Sequence, residues 1–371
     1  MPLVRKRRFE REENEPATQT VHIFHLPGHK ADVKLSVFDG LEIHAHSVLL
    51  KLHSAFFRRF LDLQMYNKDG KGENTGVFKY EWATVYDDDG SWSLFDARNI
   101  KHNSPNSNWM SRKLRDTREA HELAFINFIG TFYGKSWAIK DTEALQLVTE
   151  LADYYCALPV VSKSMHGSLF LGPVFCKSIF YSPTRTLLDL ALQLYSHELF
   201  RECMICLVGK WQHSAYQHPI ESQSEISYNP KLTSPKLNEL AIKLHNQICT
   251  KVFTTQQQIE FYSQINPNAL EVKGHIEICF LEKMELRETE HGANHRRVSL
   301  PEYFQAFKEE SSGVLALAVS DILKNELVFN KSLRAGDIVF PGDIRNDILP
   351  HFLCVEIKDE DLSWDSNETD W

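Results

Sequence analysis

Cys203 and Cys206 stand in a Cys-x-x-Cys pair, and with His197 and His213 they could in principle supply four zinc ligands. No second such pair accompanies them. Both cysteines fall on the apolar face of a predicted helix, so buried core thiols are the expectation. His291 and His295 have the four-residue spacing that places two imidazoles on one helix face. Gly292 and Asn294 between them read as loop, and no Glu occupies the position a zincin requires. His44 and His46 flank Ala45 where a predicted strand meets a predicted helix. Catalysis there would need a nucleophile and an orienting carboxylate, and the sequence groups neither with them. Asp87, Asp88 and Asp89 could bind a cation, but a polar turn closing a strand accounts for them. Gly70, Gly72 and Gly76 lack the Lys-Ser/Thr of a phosphate loop, and no Gly-x-Ser-x-Gly elbow occurs. The chain is therefore expected not to be an enzyme, with no cofactor and no metal.

Composition narrows the classes further. Lys and Arg number 41 against 50 Asp and Glu, a formal charge of -9. Phosphate contacts need concentrated positive charge, so no direct nucleic-acid binding is expected. Seven cysteines, scattered and odd in number, form no disulfide framework and point to a reducing compartment, cytoplasm or nucleus. The start, Met1 to Arg8, is basic but lacks an apolar run behind it, and no run of 18 apolar residues occurs, so neither a secretory signal nor a membrane span is expected. At 371 residues the chain has room for two or three domains.

The elements that would position these residues can be read in order. Residues 1–19 are predicted to be a flexible charged tail, in which Arg5, Lys6, Arg7 and Arg8 form either a nuclear import signal or a solvated run. Val21, Ile23 and Leu26 suggest a short strand or docking segment. Val33, Leu35 and Val37 alternate with Lys34 and Ser36, and Leu41, Ile43 and Ala45 alternate with Glu42 and His44. The period is that of half-buried strands, joined by a predicted two-residue turn at Asp39-Gly40. His46 to Leu52 turns helical. Ser54 is placed to cap a second helix carrying Phe56, Phe57, Phe60 and Leu61. Val77, Tyr80 and Trp82 to Val85 read as a third strand, and Trp92, Phe95 and Trp109 as isolated apolar anchors in a polar insertion.

Glu122 to Tyr133 has helical spacing ended by Gly134. Asp141 can cap a helix with the stripe Leu145, Val148, Leu151, Ala152 and Tyr155, and Pro159 suits the first turn of the next, to about Leu169. Two apolar stripes between Pro183 and Trp211 predict a helical hairpin. Residues 212 to about 235 read as a linker. Beyond it, Leu237 to Val252 and Val314 to Leu327 are predicted helices, and Ile276 to Phe280 and Phe352 to Ile357 are short apolar runs. Glu356 to Trp371, with seven acidic residues and one Lys, is expected to be mobile.

The run from Ala31-Asp32-Val33 through Asp39-Gly40 and His44-Ala45-His46-Ser47-Val48-Leu49-Leu50 to Ser54-Ala55-Phe56-Phe57 resembles the opening of a BTB/POZ domain. Phe132-Tyr133-Gly134 and Leu151-Ala152-Asp153-Tyr154-Tyr155 resemble elements of that domain's second half, in wording similar to BTB proteins of fungi. The resemblance covers about residues 28–170. It implies an α+β fold: a BTB/POZ domain over 20–170 (a small β-sheet with a helical cluster), with an insertion at about 62–118. A helical extension over 171–215 and a mixed C-terminal region over 216–371 with an acidic tail follow. It also implies a protein-binding role through a homodimer, with an interaction surface at Asp32, His46, Val48, Leu49, Phe56 and Phe57. In several members the Asp pairs in a charged pocket with a basic residue after the His. Ser47 stands there in this chain, which tells against that pocket. The expected partners are proteins: a second copy, and a cullin if the chain is a substrate adaptor for a ubiquitin ligase. The alternatives are a nuclear regulator acting through dimerisation and, less favoured, an enzyme in the C-terminal region.

Overall fold

Val33, Leu35 and Val37 are fully buried, as the alternation demands, on strand β2 (Val33–Val37), and Leu41, Ile43 and Ala45 likewise on β3 (Leu41–Ala45). The two pair antiparallel. The computed structural model describes residues 20–38, 40–66, 77–86, 92–99, 118–171, 184–209, 235–290, 300–311, 313–335 and 351–365. These form an α+β structure with one five-stranded sheet in the order β1-β3-β2-β4-β5. Strand β1 (Thr20–Ile23) lies parallel to β3, while β4 (Tyr80–Tyr86) lies parallel to β2 and carries β5 (Trp92–Asp96) antiparallel on its far side. On the polar face, Glu42 bridges Lys34 at 3.2 Å and His44 at 2.6 Å, a cross-strand cluster that the register creates.

Two sequence expectations are corrected here. Val37 pairs with Leu41, so the hairpin connection spans residues 38–40, three residues and not two. Phe38 takes the left-handed conformation (φ 54°), held by its N–H bond to Thr84 Oγ1 and by Trp92, whose ring centroid lies 4.9 Å away. Tertiary packing overrides the local turn signal. Trp92 and Phe95 are not isolated anchors: they belong to β5, where Ser93 and Leu94 are both buried and the strand alternation is lost. Trp109 lies outside the described residues.

The helices of this part of the chain are α1 (Ser47–His53), α2 (Ala55–Tyr66) and α3 (Arg118–Thr131), then α4 (Thr142–Tyr154) and α5 (Leu158–Leu171). Capping follows the residue types. Ser54 Oγ accepts the Phe57 N–H at 3.0 Å, and Asp141 Oδ1 accepts the Ala144 N–H at 2.8 Å. Gly134 takes φ 64° past the end of α3, a position suited to glycine.

The chain divides into two compact units, one comprising Met1–Trp137 and Leu147–Ser164 and the other Ala138–Gln146 and Met165–Trp371. The core of the first is aromatic. Phe57 and Phe128 stack on Tyr155 with centroids at 5.3 and 5.5 Å. Burying each such ring is worth ~1.5–3 kcal/mol.

The second unit is helical: α6 (Thr184–Gln193) and α7 (His197–Gly209) form the predicted hairpin, followed by α8 (Pro235–Ile265), α9 (Pro267–Glu290), α10 (Leu300–Glu310) and α11 (Val314–Ser320). Helix α8 runs beyond the predicted Val252 because Thr255, Ile259 and Ser263 continue the buried stripe. Thr250, Thr254 and Ser263 satisfy their hydroxyls on carbonyls four residues back, so the polar stretch does not end the helix. The run from Ile276 lies within α9, not in a separate short element. The expected helix to Leu327 stops at Ser320. Beyond it, Asn325 donates to the Asn330 and Leu333 carbonyls and accepts from the Leu327 N–H, organising a loop.

Candidate interaction surface

Asp32 precedes β2, and its backbone knits three segments together: its N–H donates to the Ala45 carbonyl, and its own carbonyl accepts the N–H groups of Lys79 and Tyr80. Its carboxylate turns to the start of α1. Oδ1 accepts the Ser47 N–H at 2.7 Å and Oδ2 accepts the Ser47 hydroxyl at 2.6 Å. His46, at the N-cap position, makes no side-chain cap. Asp32 supplies that function from a neighbouring strand, placing a carboxylate against the unsatisfied N–H groups and positive end of the helix. Ser47 thus accounts for Asp32 without a basic residue, and the contact is a neutral-to-anion hydrogen bond in place of an ion pair.

His46 is buried beside this cap. Its Nε2 faces the His29 carbonyl at 3.3 Å, which assigns the proton to that nitrogen. Nδ1, at 2.8 Å from the Tyr133 hydroxyl, then accepts its proton, while the Tyr133 oxygen accepts the His46 backbone N–H at 2.9 Å. Burial pushes the Tyr133 phenol up to about 12, opposed by the His46 bond and reinforced by the Asp32 charge, so it stays a donor at neutral pH. This is a structural junction: strand end, helix start and the turn after α3 meet at one imidazole. A cleft of about 390 Å³ opens beside it, lined by Ile23, Phe24, His29, His44 and Phe78 among others.

The helix that this junction fixes presents apolar side chains outward. Leu50 is buried, which turns the opposite face of α1 to the surface. Val48 and Leu52, one turn apart, are 52% and 64% exposed. Leu49 and Phe56 are half-buried. Phe57 is not: it is wholly buried against Tyr155 and belongs to the core, because Ser54 caps α2 in the register that turns this ring inward. Of the six residues expected at the surface, Val48, Leu49 and Phe56 can touch a partner, Asp32 and His46 hold α1 in place, and Phe57 supports it from beneath. Leu52 and Phe60, 40% exposed, are additions that the expectation omitted. The four-residue step from Val48 to Leu52 was the available signal.

The thiols of Cys203 and Cys206 are buried in α7 and pushed well above the ordinary value, by burial first and then by the Glu202 charge. Among the described residues no group of three or more His, Cys, Asp or Glu side chains could hold a metal ion. His213, His291, His295 and Asp87–Asp89 lie outside the described residues, as do Gly70, Gly72, Gly76 and Arg5–Arg8. No described helix is long and apolar enough to cross a membrane. Comparison with protein-family models, curated proteins and solved structures finds no match to this chain.

Proposed function

We propose that the first unit is a BTB/POZ domain and that the chain acts as a dimerising protein-interaction scaffold. The observation that carries this reading is the apolar face of α1. Val48 and Leu52 are held outward on a helix whose start is tied down by Asp32 and His46. The motif residues that resemble the family sit together at that junction: Asp32, His46, and Tyr133 of the Phe-Tyr-Gly element. The same reading takes a sharper form, a substrate adaptor for a cullin-type ubiquitin ligase.

Magnitudes set what the α1 face must do. Full burial of Val or Leu contributes ~1.5–3 kcal/mol, and these side chains are already about half covered, so each contributes roughly 1 kcal/mol. Two such residues from each of two copies supply about 4 kcal/mol, against ~8 kcal/mol for a micromolar complex. The face is therefore a centre and not a whole interface, and a dimer of ~1,200–2,000 Å² must recruit flanking surface. Leu49, Phe56 and Phe60 are the flanking candidates on α1 and α2.

Charge substitution tests the scaffold reading. Val48→Lys with Leu52→Glu is expected to shift the full chain from dimer to a folded monomer that still melts cooperatively, with a melting temperature no longer dependent on protein concentration. A dimer that survives both substitutions refutes the placement. For the sharper form, co-migration of the chain with the N-terminal domain of a BTB-binding cullin is expected as a complex of defined mass. No complex at tens of micromolar removes the adaptor reading and leaves the scaffold.

A further inference from the structure

The C-terminal segment changes character at Ile357. Before it, Phe352, Leu353, Cys354 and Val355 are buried, and backbone bonds tie the chain to Gly209 and Glu326. After it, the backbone bonds are those of a local turn, Asp361 N–H to Lys358 and Leu362 N–H to Asp359. What holds this part to the helices is side-chain chemistry. Arg201 on α7 donates to the Ile357 carbonyl at 3.0 Å and pairs with Asp359, and Lys243 on α8 pairs with Asp361 at 2.9 Å. Trp364 lies flat on Tyr195 at 5.3 Å, inclined by 12°, and edge-on to Phe200 at 5.4 Å. Tyr195 adopts φ 48° between α6 and α7, a costly conformation for a bulky residue, fixed by bonds from Leu194 and Ser196 back into α6.

We propose that Tyr195, Phe200, Arg201 and Lys243 form a docking site for acidic peptides carrying an aromatic residue, and that Lys358–Trp364 fills it in cis as a releasable latch. The recognition is specific in kind. Two cations lie where two carboxylates fall, and two rings make a corner for a third, on a chain whose net charge of -9 otherwise repels acidic partners. Release is accessible because each ion pair has one partner open to solvent, Asp359 and Lys243, so that salt screens it, while the buried run through Ile357 stays anchored. An incoming peptide of the same pattern exchanges with the latch and finds its contacts ready-made.

The probe is a fluorescent peptide of residues 358–365, and the protein is the full chain. With Asp359→Asn, Asp361→Asn and Trp364→Ala loosening the latch, binding at least tenfold tighter than to the unmodified chain is expected. Adding Arg201→Glu and Lys243→Glu should abolish it. Equal binding to loosened and unmodified chains, or binding that survives the charge reversals, overturns the proposal. Hydrogen exchange on the unmodified chain gives a check free of substitutions. Amides of 358–364 should exchange faster than those of 352–355, and faster still with excess peptide. Protection equal across the two stretches refutes a releasable latch.

Discussion

Tyr133 carries more of the junction than its position after a helix suggests. Its hydroxyl serves both the ring and the backbone of His46. Tyr133→Phe leaves both without that partner, and a loss of ~1–3 kcal/mol in urea denaturation is expected. Asp189 offers a test by pH. Its Oδ1 is buried with no hydrogen-bond partner among the described residues, and burial lifts its carboxyl to about 7, with Arg185 pulling the other way. The folded state then holds the proton more tightly than the unfolded chain. Stability from this group is present below the ordinary aspartate value and is lost as pH rises toward about 7. Asp189→Asn should therefore flatten the melting temperature between pH 5 and 8, and an unchanged slope would locate the titration elsewhere. Glu202 is fully buried. It accepts from the Val328 and Phe329 N–H groups and the Asn330 amide. Glu202→Gln turns an amide –NH2 toward some of these donors and should cost ~1–3 kcal/mol. At this scale sequence was a partial guide. His46 is buried and hydrogen-bonded, but its partners Tyr133 and His29 lie 87 and 17 residues away, beyond any local pattern.

Among the elements, the strands and short helices of the first unit were legible because alternation and helical stripes act over a few residues. Ser54 and Asp141 announced their helices by the chemistry of their side chains. Strand β5 was not legible, since Ser93 and Leu94 are buried side by side and only pairing with β4 reveals why. The contacts of the acidic end were not legible for a similar reason. Glu356 to Trp371 looks like a solvated tail, yet its described part, to Asp365, is docked: Arg201 and Lys243 pair with Asp359 and Asp361, and Tyr195 receives Trp364. The cations that hold it are more than a hundred residues upstream. Gly209 tests this element directly. A methyl group there would stand 2.0 Å from the Phe352 carbonyl oxygen, a clash with backbone that no rotamer relieves. Gly209→Ala is expected to destabilise the protein by about 3 kcal/mol, far beyond any helix-propensity change, in thermal or urea melts. A neutral or stabilising result would mean that Phe352 does not pack on the end of α7.

For the whole molecule, the division into two units places the hairpin α6–α7 in the same unit as the C-terminal helices. Length and composition suggested two or three domains, but could not say which side the hairpin joins. That depends on contacts such as Glu202 with the 328–330 loop, which span 126 residues or more. The proposed function rests on the motif around Asp32 and His46, because a binding surface would leave no set of reactive groups to recognise. The α1 face is proposed to make this chain a dimer. The direct measurement is the mass of the full chain by light scattering after size exclusion, across a hundredfold range of concentration, with and without Val48→Lys and Leu52→Glu. A dimer that becomes a folded monomer on substitution is expected. A native chain that stays monomeric throughout, or a dimer indifferent to both changes, contradicts the account.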